Sequence, residues 1–142
     1  MRIAVLGSGA VGGYYGGRLA AAGEEVHFLY RSEYDAVARD GLRLESVDGN
    51  WHGPVNAWSS VSEMPVCDIA LVCFKSAQSP LLAGMLPKVL GERGVAVCLM
   101  NGLGHEEIIA GVLGPERVVA GAAFISAERG EPGTIHHFAA GG

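Results

Sequence analysis

Long apolar runs, cysteine and a surplus of positive charge are what this sequence lacks. No apolar stretch approaches the roughly eighteen residues that cross a bilayer, so no membrane span is expected. The apolar start is short and broken by a glycine turn, unlike a secretory leader. Three cysteines (Cys67, Cys73, Cys98) are odd in number and contain no C-x-x-C spacing. Cys73 and Cys98 fall in predicted buried strands and Cys67 at the entry to one. They read as core thiols in a reducing cytoplasm rather than as disulfides, metal ligands or a nucleophile. A net charge of −5 argues against a general nucleic-acid surface, so any anion must be held by a local site. With 49% hydrophobic residues, disorder is excluded as well, and 142 residues suffice for one domain (1–142) with its own core.

What the sequence has in excess is glycine, 22 residues without a fixed period. The informative ones lie in the first thirty or so positions. Arg2–Leu6 reads as a buried strand, Gly7–Gly12 as a glycine turn, Ala10 to about Ala22 as a helix, and Val26–Tyr30 as a second strand. G-x-G-x-x-G between a strand and a helix is the context in which the motif signifies dinucleotide binding. Each glycine inside a helix costs about 1 kcal/mol relative to alanine, so Gly12, Gly13, Gly16 and Gly17 need a reason. Gly12, Gly16, Ala20 and Gly23 share one face, which would let the helix press on its strand. The bare N-terminus would leave N–H groups open to a pyrophosphate.

The end of the second strand discriminates between dinucleotides. About twenty residues after the turn, NAD-binding domains carry a carboxylate for the ribose 2′-hydroxyl. This chain has Arg31 and Ser32 there, a cation and a hydroxyl suited to a 2′-phosphate, so the expected cofactor is NADP. Ser32 and Asp35 also form a capping pattern for a helix running to Arg39. Glu33 is the nearest acid, expected to be displaced toward solvent.

Further on, Leu42–Val47, a turn at Asp48–Asn50 and Trp51–Ala57 predict a β-hairpin inserted near the third strand, with Trp51 and Trp58 as packing residues. Asp68–Phe74 and Val95–Met100 read as central parallel strands, ending in Lys75 and Asn101. Ser76–Leu90 predicts a helix, with Pro80 in its first turn and Pro87 kinking it or splitting off its last turn. A helix opens at His105 and closes at Gly114, and Val118–Ile125 reads as another strand. His105 is expected to be a cap or a solvent contact. His136 and His137 alternate in a strand and cannot share a metal, so no metal site is expected. The fold class is α/β: a Rossmann-type doubly wound, mostly parallel sheet. Ligands in such sheets bind beyond the carboxyl ends of the strands. That edge gathers Gly7–Gly12, Arg31, Lys75, Asn101 and the Ser126–Ala127 pair. Lys75 could serve cofactor phosphates or a substrate carboxylate, and Asn101 a carboxamide or substrate oxygen.

Gly7–Gly16, Tyr30–Arg31, Cys73–Gln78, Asn101–Gly104 and the Pro132–Gly133 turn together resemble the N-terminal half of the ketopantoate reductases (2-dehydropantoate 2-reductases). The resemblance implies NADPH-dependent reduction of ketopantoate to pantoate, on the route to pantothenate and coenzyme A. It implies that Gly7, Ser8, Gly9, Ala10, Val11 and Gly12 hold the pyrophosphate and Arg31 the 2′-phosphate. Lys75 and Gln78 would lie along the cofactor, Asn101 between nicotinamide and substrate, and Ala127 at a cofactor contact. The family's proton-donating lysine belongs to a C-terminal helical domain, so the chain is expected to be a fragment that binds cofactor but barely turns over, with no catalytic proton donor of its own. A reductase for another small 2-oxo acid, a non-catalytic dinucleotide sensor and an empty structural domain are the alternatives. Self-association is left open.

Overall fold

A computed structural model describes residues 1–100 and 104–140. Its first sheet has six parallel strands in the order β5-β2-β1-β6-β7-β8. These are β1 (Arg2–Leu6), β2 (Glu25–Leu29), β5 (Asn56–Trp58), β6 (Cys67–Val72), β7 (Leu90–Cys98) and β8 (Val118–Ala120). The order reverses direction between β1 and β6, which creates the crevice expected of a doubly wound sheet. A second, four-stranded sheet has the order β4-β3-β10-β9, from β3 (Leu42–Ser46), β4 (Trp51–Gly53), β9 (Ile125–Arg129) and β10 (Thr134–Ala140). The α-helices are α1 (Ala10–Ala21), α2 (Tyr34–Asp40), α3 (Leu82–Val89) and α4 (His105–Leu113).

Alternation along β1 divides the core. Ala4 and Leu6 face one cluster, with Leu82, Leu86 and Val89 of α3 and Ile109 of α4. Ile3 and Val5 face the other, with Tyr14 of α1, Leu42 and Leu44 of β3 and Ile135 of β10. Helix α1 is therefore held between the two sheets, and its glycines are divided between them. A Cβ on Gly16 would lie 2.5 Å from the Phe28 ring, and one on Gly12 would strike the Gly7 carbonyl oxygen. On the other side, a Cβ on Gly13 would lie 2.9 Å from Ile135 and one on Gly17 2.8 Å from Leu44. The single bare face expected from the sequence is in fact two. Gly23 belongs to neither; it follows the helix at φ +94° with open space around it.

Several expectations are corrected. The chain does not run back through one long return strand. Trp51–Gly53 pairs antiparallel with β3, but after Pro54 the chain crosses to the first sheet, where Asn56–Trp58 pairs with β2. The hairpin thus belongs to the second sheet, and β5 takes the edge of the first. Val118–Ile125 is not one strand: β8 ends at Ala120, and β9 begins at Ile125 in the other sheet. The segment Ser76–Leu90 divides before Pro87, into a 3-10 turn over Ser76–Leu81 that contains Pro80, followed by α3. Pro87 lies inside α3, where it cannot donate to the carbonyl of Ala83 one turn earlier, and the helix ends shortly after at Val89. Helix α2 starts from Glu33, with no side-chain cap from Ser32. Trp58 and Trp51 do pack, one against each core cluster, and Trp58 Nε1 donates to His27 Nδ1 at 3.0 Å.

Candidate active site: the cofactor cleft

Where the strands of the first sheet run out at the crevice, polar and glycine residues stand beside apolar ones, among them Leu99 and Met100 after β7. Leu6 is followed by Gly7, Leu29 by Tyr30 and Arg31, Trp58 by Ser59, and Val72 by Cys73, Phe74 and Lys75. Together they border a cleft of about 1400 Å³. Gly7 makes the sharp exit from β1 at φ +91°, where a Cβ would lie 2.6 Å from the backbone of Cys73 and Phe74. The loops after β1 and β6 are thereby pressed together beneath the cleft, and only glycine fits between them.

Gly7, Ser8, Gly9, Ala10 and Val11 all line the cleft, as do Arg31, Ser32, Lys75 and Gln78. Gly12 lies beneath the loop rather than at its surface. Asn101 lies outside the described residues. Ala127 is not among the residues lining the cleft; it is in the second sheet, opposite His137 in the ladder and packed against the second core cluster. Ser126, next to it, stands opposite Ala139 in the same ladder, again because β9 belongs to the second sheet.

Sequence reasoning missed Ser59, Ser60 and Val61, which line the cleft beyond β5. The signal was there, in a serine pair after an alternating segment, but β5 had not been recognised as a strand of this sheet. It also missed Arg129 on the rim. Glu33 does not point to solvent. Its Oε2 accepts from Arg129 Nη1 at 3.0 Å and its Oε1 from the Gly133 N–H at 3.0 Å, with the carboxylate side chain only 13% exposed. His105 is buried, with its Nε2 3.3 Å from Ser76 Oγ, and so is neither a cap on its own helix nor a solvent contact. His136 and His137 do alternate: His136 pairs with Glu45 at 3.1 Å, whereas His137 is buried against Ser46 Oγ at 2.8 Å.

Electrostatically the cleft is cationic. Arg31, Lys75 and Arg129 face a single acid, Glu33, among its described lining residues. Arg31 and Lys75 form no ion pair with another described residue. The tip of α1 has no side-chain cap and no acid in its first turn, so its N–H groups and positive dipole end are open to an anion. Ser8 Oγ and Tyr30 Oη are buried without a hydrogen-bond partner among the described residues, although both residues border the cleft. Burial, and then the Glu33 carboxylate, push the Tyr30 phenol upward, so it stays protonated and able to donate.

Cys73 also borders the cleft, but burial pushes its thiol up to about 12 and that of Cys67 up to about 11. Neither is a nucleophile near neutral pH. Iodoacetamide at pH 7.5 should label both slowly in the native chain and rapidly in urea, as read by mass spectrometry. An unfolded thiol loses its proton near pH 8.5, whereas these keep theirs, so the unfolded state binds fewer protons above that pH. Melting temperature should therefore fall as pH rises from about 8.5 toward 11.

Fold and cleft together define a Rossmann-type α/β domain whose crevice is lined by Arg31, Lys75 and Arg129. The chain belongs to the ketopantoate reductase family (Ketopantoate reductase PanE/ApbA), whose match runs over residues 3–142. A 2-dehydropantoate 2-reductase of Nostoc sp. is 44% identical over 137 residues, covering 96% of this chain and 43% of the relative. The crystal structure of 2-dehydropantoate 2-reductase from Geobacter metallireducens is 39% identical with a TM-score of 0.96, covering 99% of this chain and 47% of that one. D-mandelate dehydrogenase, solved with NADH and anilino(oxo)acetate, shares the fold at 24% identity and a TM-score of 0.90. The chain spans about half the length of the curated relatives it matches. No helix among the described residues is long and apolar enough to cross a membrane.

Proposed function

We propose that this chain is the NADP(H)-binding half of a cytoplasmic oxidoreductase that reduces ketopantoate to pantoate, in the formation of pantothenate. The relatives named 2-dehydropantoate 2-reductase support the substrate, a small 2-oxo acid. The observation that carries the cofactor choice is Arg31. It lines the cleft just past the end of β2 with no ion pair to another described residue, while Glu33, the one acid among the described lining residues, is already held by Arg129 and Gly133.

The residues present fit a phosphorylated dinucleotide. The Gly7–Val11 loop and the uncapped tip of α1 would hold the pyrophosphate, with Ser8 Oγ supplying a hydroxyl that has no partner among the described residues. Gly12, beneath that loop, would keep it close to the helix. Arg31 and Ser32 would take the 2′-phosphate. Lys75, at the end of β6, and Gln78, one turn on, would lie along the nicotinamide side. There an ammonium can neutralise a phosphate or orient a substrate carboxylate. Asn101 would position the nicotinamide carboxamide or the ketone oxygen. When bound, NADPH supplies the hydride for the 2-oxo carbon.

The test is a pair of titrations on the chain itself. NADPH should bind at least about tenfold more tightly than NADH, a difference of about 1.4 kcal/mol. Equal affinities would refute the cofactor assignment. A longer protein that begins with this chain and has about the length of the relatives should consume NADPH on addition of ketopantoate; no consumption would refute the substrate.

A further inference from the structure

Resting on the NADP reading, one feature of the cleft goes beyond it. Glu33 occupies the turn after β2, the region in which a carboxylate favours the free ribose diol of NAD over a 2′-phosphate. Its position is fixed from several directions. The Glu33 carbonyl accepts from the Val37 N–H at 3.0 Å, and the Arg31 carbonyl accepts from the Tyr34 N–H at 3.3 Å, so the 31–34 turn is closed. Its carboxylate is taken up on both oxygens by the second sheet. Arg129, the last residue of β9, donates to Oε2, and Gly133, in the β9–β10 turn, donates to Oε1. Both residues lie about a hundred positions away, at separations of 96 and 100.

We propose that Arg129 is a specificity-determining residue that masks Glu33 as a latent NAD-type carboxylate. While the ion pair stands, the acid can neither accept from a ribose hydroxyl nor capture Arg31, two residues before it, and Arg31 stays available to a phosphate. Arg129 acts here through Glu33 and need not touch the ligand. Without it, a poorly compensated carboxylate remains on the cleft wall. That carboxylate repels a dianionic 2′-phosphate, competes for Arg31, and offers an acceptor to NADH.

The experiment measures NADPH and NADH affinity for the chain and three variants. In Arg129→Ala the preference for NADPH should fall about tenfold, mainly through weaker NADPH binding, with NADH binding unchanged or improved. Arg129→Lys keeps the charge and should keep the preference within about twofold. Arg129→Ala combined with Glu33→Gln removes the freed charge and should restore the preference. An equal loss of both affinities in Arg129→Ala would make Arg129 merely structural and overturn the proposal. So would a double variant that fails to recover, because Arg129 would then grip the phosphate itself. A parent chain with no preference for NADPH overturns the cofactor reading first, before any variant is made, and this proposal with it.

Discussion

Replacing Arg31 with alanine is expected to weaken NADPH binding by about 1.5–3 kcal/mol, or roughly ten- to a hundredfold, the range for a charge-assisted hydrogen bond to an ionised group. NADH lacks the 2′-phosphate, and its affinity should change by no more than about twofold. The contrast matters more than either number. Arg31 is exposed and forms no ion pair with another described residue, so its loss should leave the melting temperature almost unchanged. Fluorescence titration with the two cofactors, alongside a thermal melt, reads all three quantities. A parallel drop for both cofactors would mean that the guanidinium serves the adenine or the pyrophosphate, and the assignment of the phosphate pocket would fail.

Gly12→Ala is expected to be among the most damaging single methyls in the described chain. Its Cβ would strike the Gly7 carbonyl oxygen and meet Val5 Cγ1 at 3.0 Å. The first of these is backbone, in a loop already pinned against Cys73 and Phe74, and cannot rotate away as a side chain would. Overpacking of this kind costs about 2–4 kcal/mol, measurable as a lower urea midpoint, and NADPH binding should be lost with the loop geometry. Gly9→Ala is the informative control. Nothing lies within 4 Å of its added methyl, and its φ of −84° is open to any residue. Stability should move by less than about 0.5 kcal/mol, while dinucleotide affinity falls because the methyl stands in the cleft. If both substitutions left binding intact, the α1 tip would not be the pyrophosphate site.

The first strand, the glycine turn and the first helix were legible because their signals are local. Ile3–Leu6 is a continuous apolar run after Arg2, and the observed β1 has the expected bounds, Arg2–Leu6. The cation at the end of β2 was legible for the same reason, since position in a known unit dictates where it points. The second sheet was not. Its central pair joins β3 to β10 in parallel, matching Leu44 to Ile135, and no periodicity announces a partner that distant. β5 was obscured by brevity: three residues after a proline look like the tail of a hairpin. Glu33 was misjudged because its partners come from that same unseen sheet. What decides a carboxylate's role is who faces it, and sequence spacing carries no information on that for residues a hundred positions apart. Asn101 lies outside the described residues, so its expected role stands on the sequence alone.

The placement of α1 between two sheets has a consequence for how the protein matures. One side of the helix rests on strands synthesised within the first thirty residues, but on the other Gly17 meets Leu42 and Leu44, and Gly13 meets Ile135, far along the chain. During translation the leading segments can pair early and Leu44 can soon cover Gly17, while Gly13 stays bare until β10 has emerged. A firm seat for the glycine motif is thus postponed until β10 is in place, and a nascent polypeptide interrupted before it would carry the motif without that support.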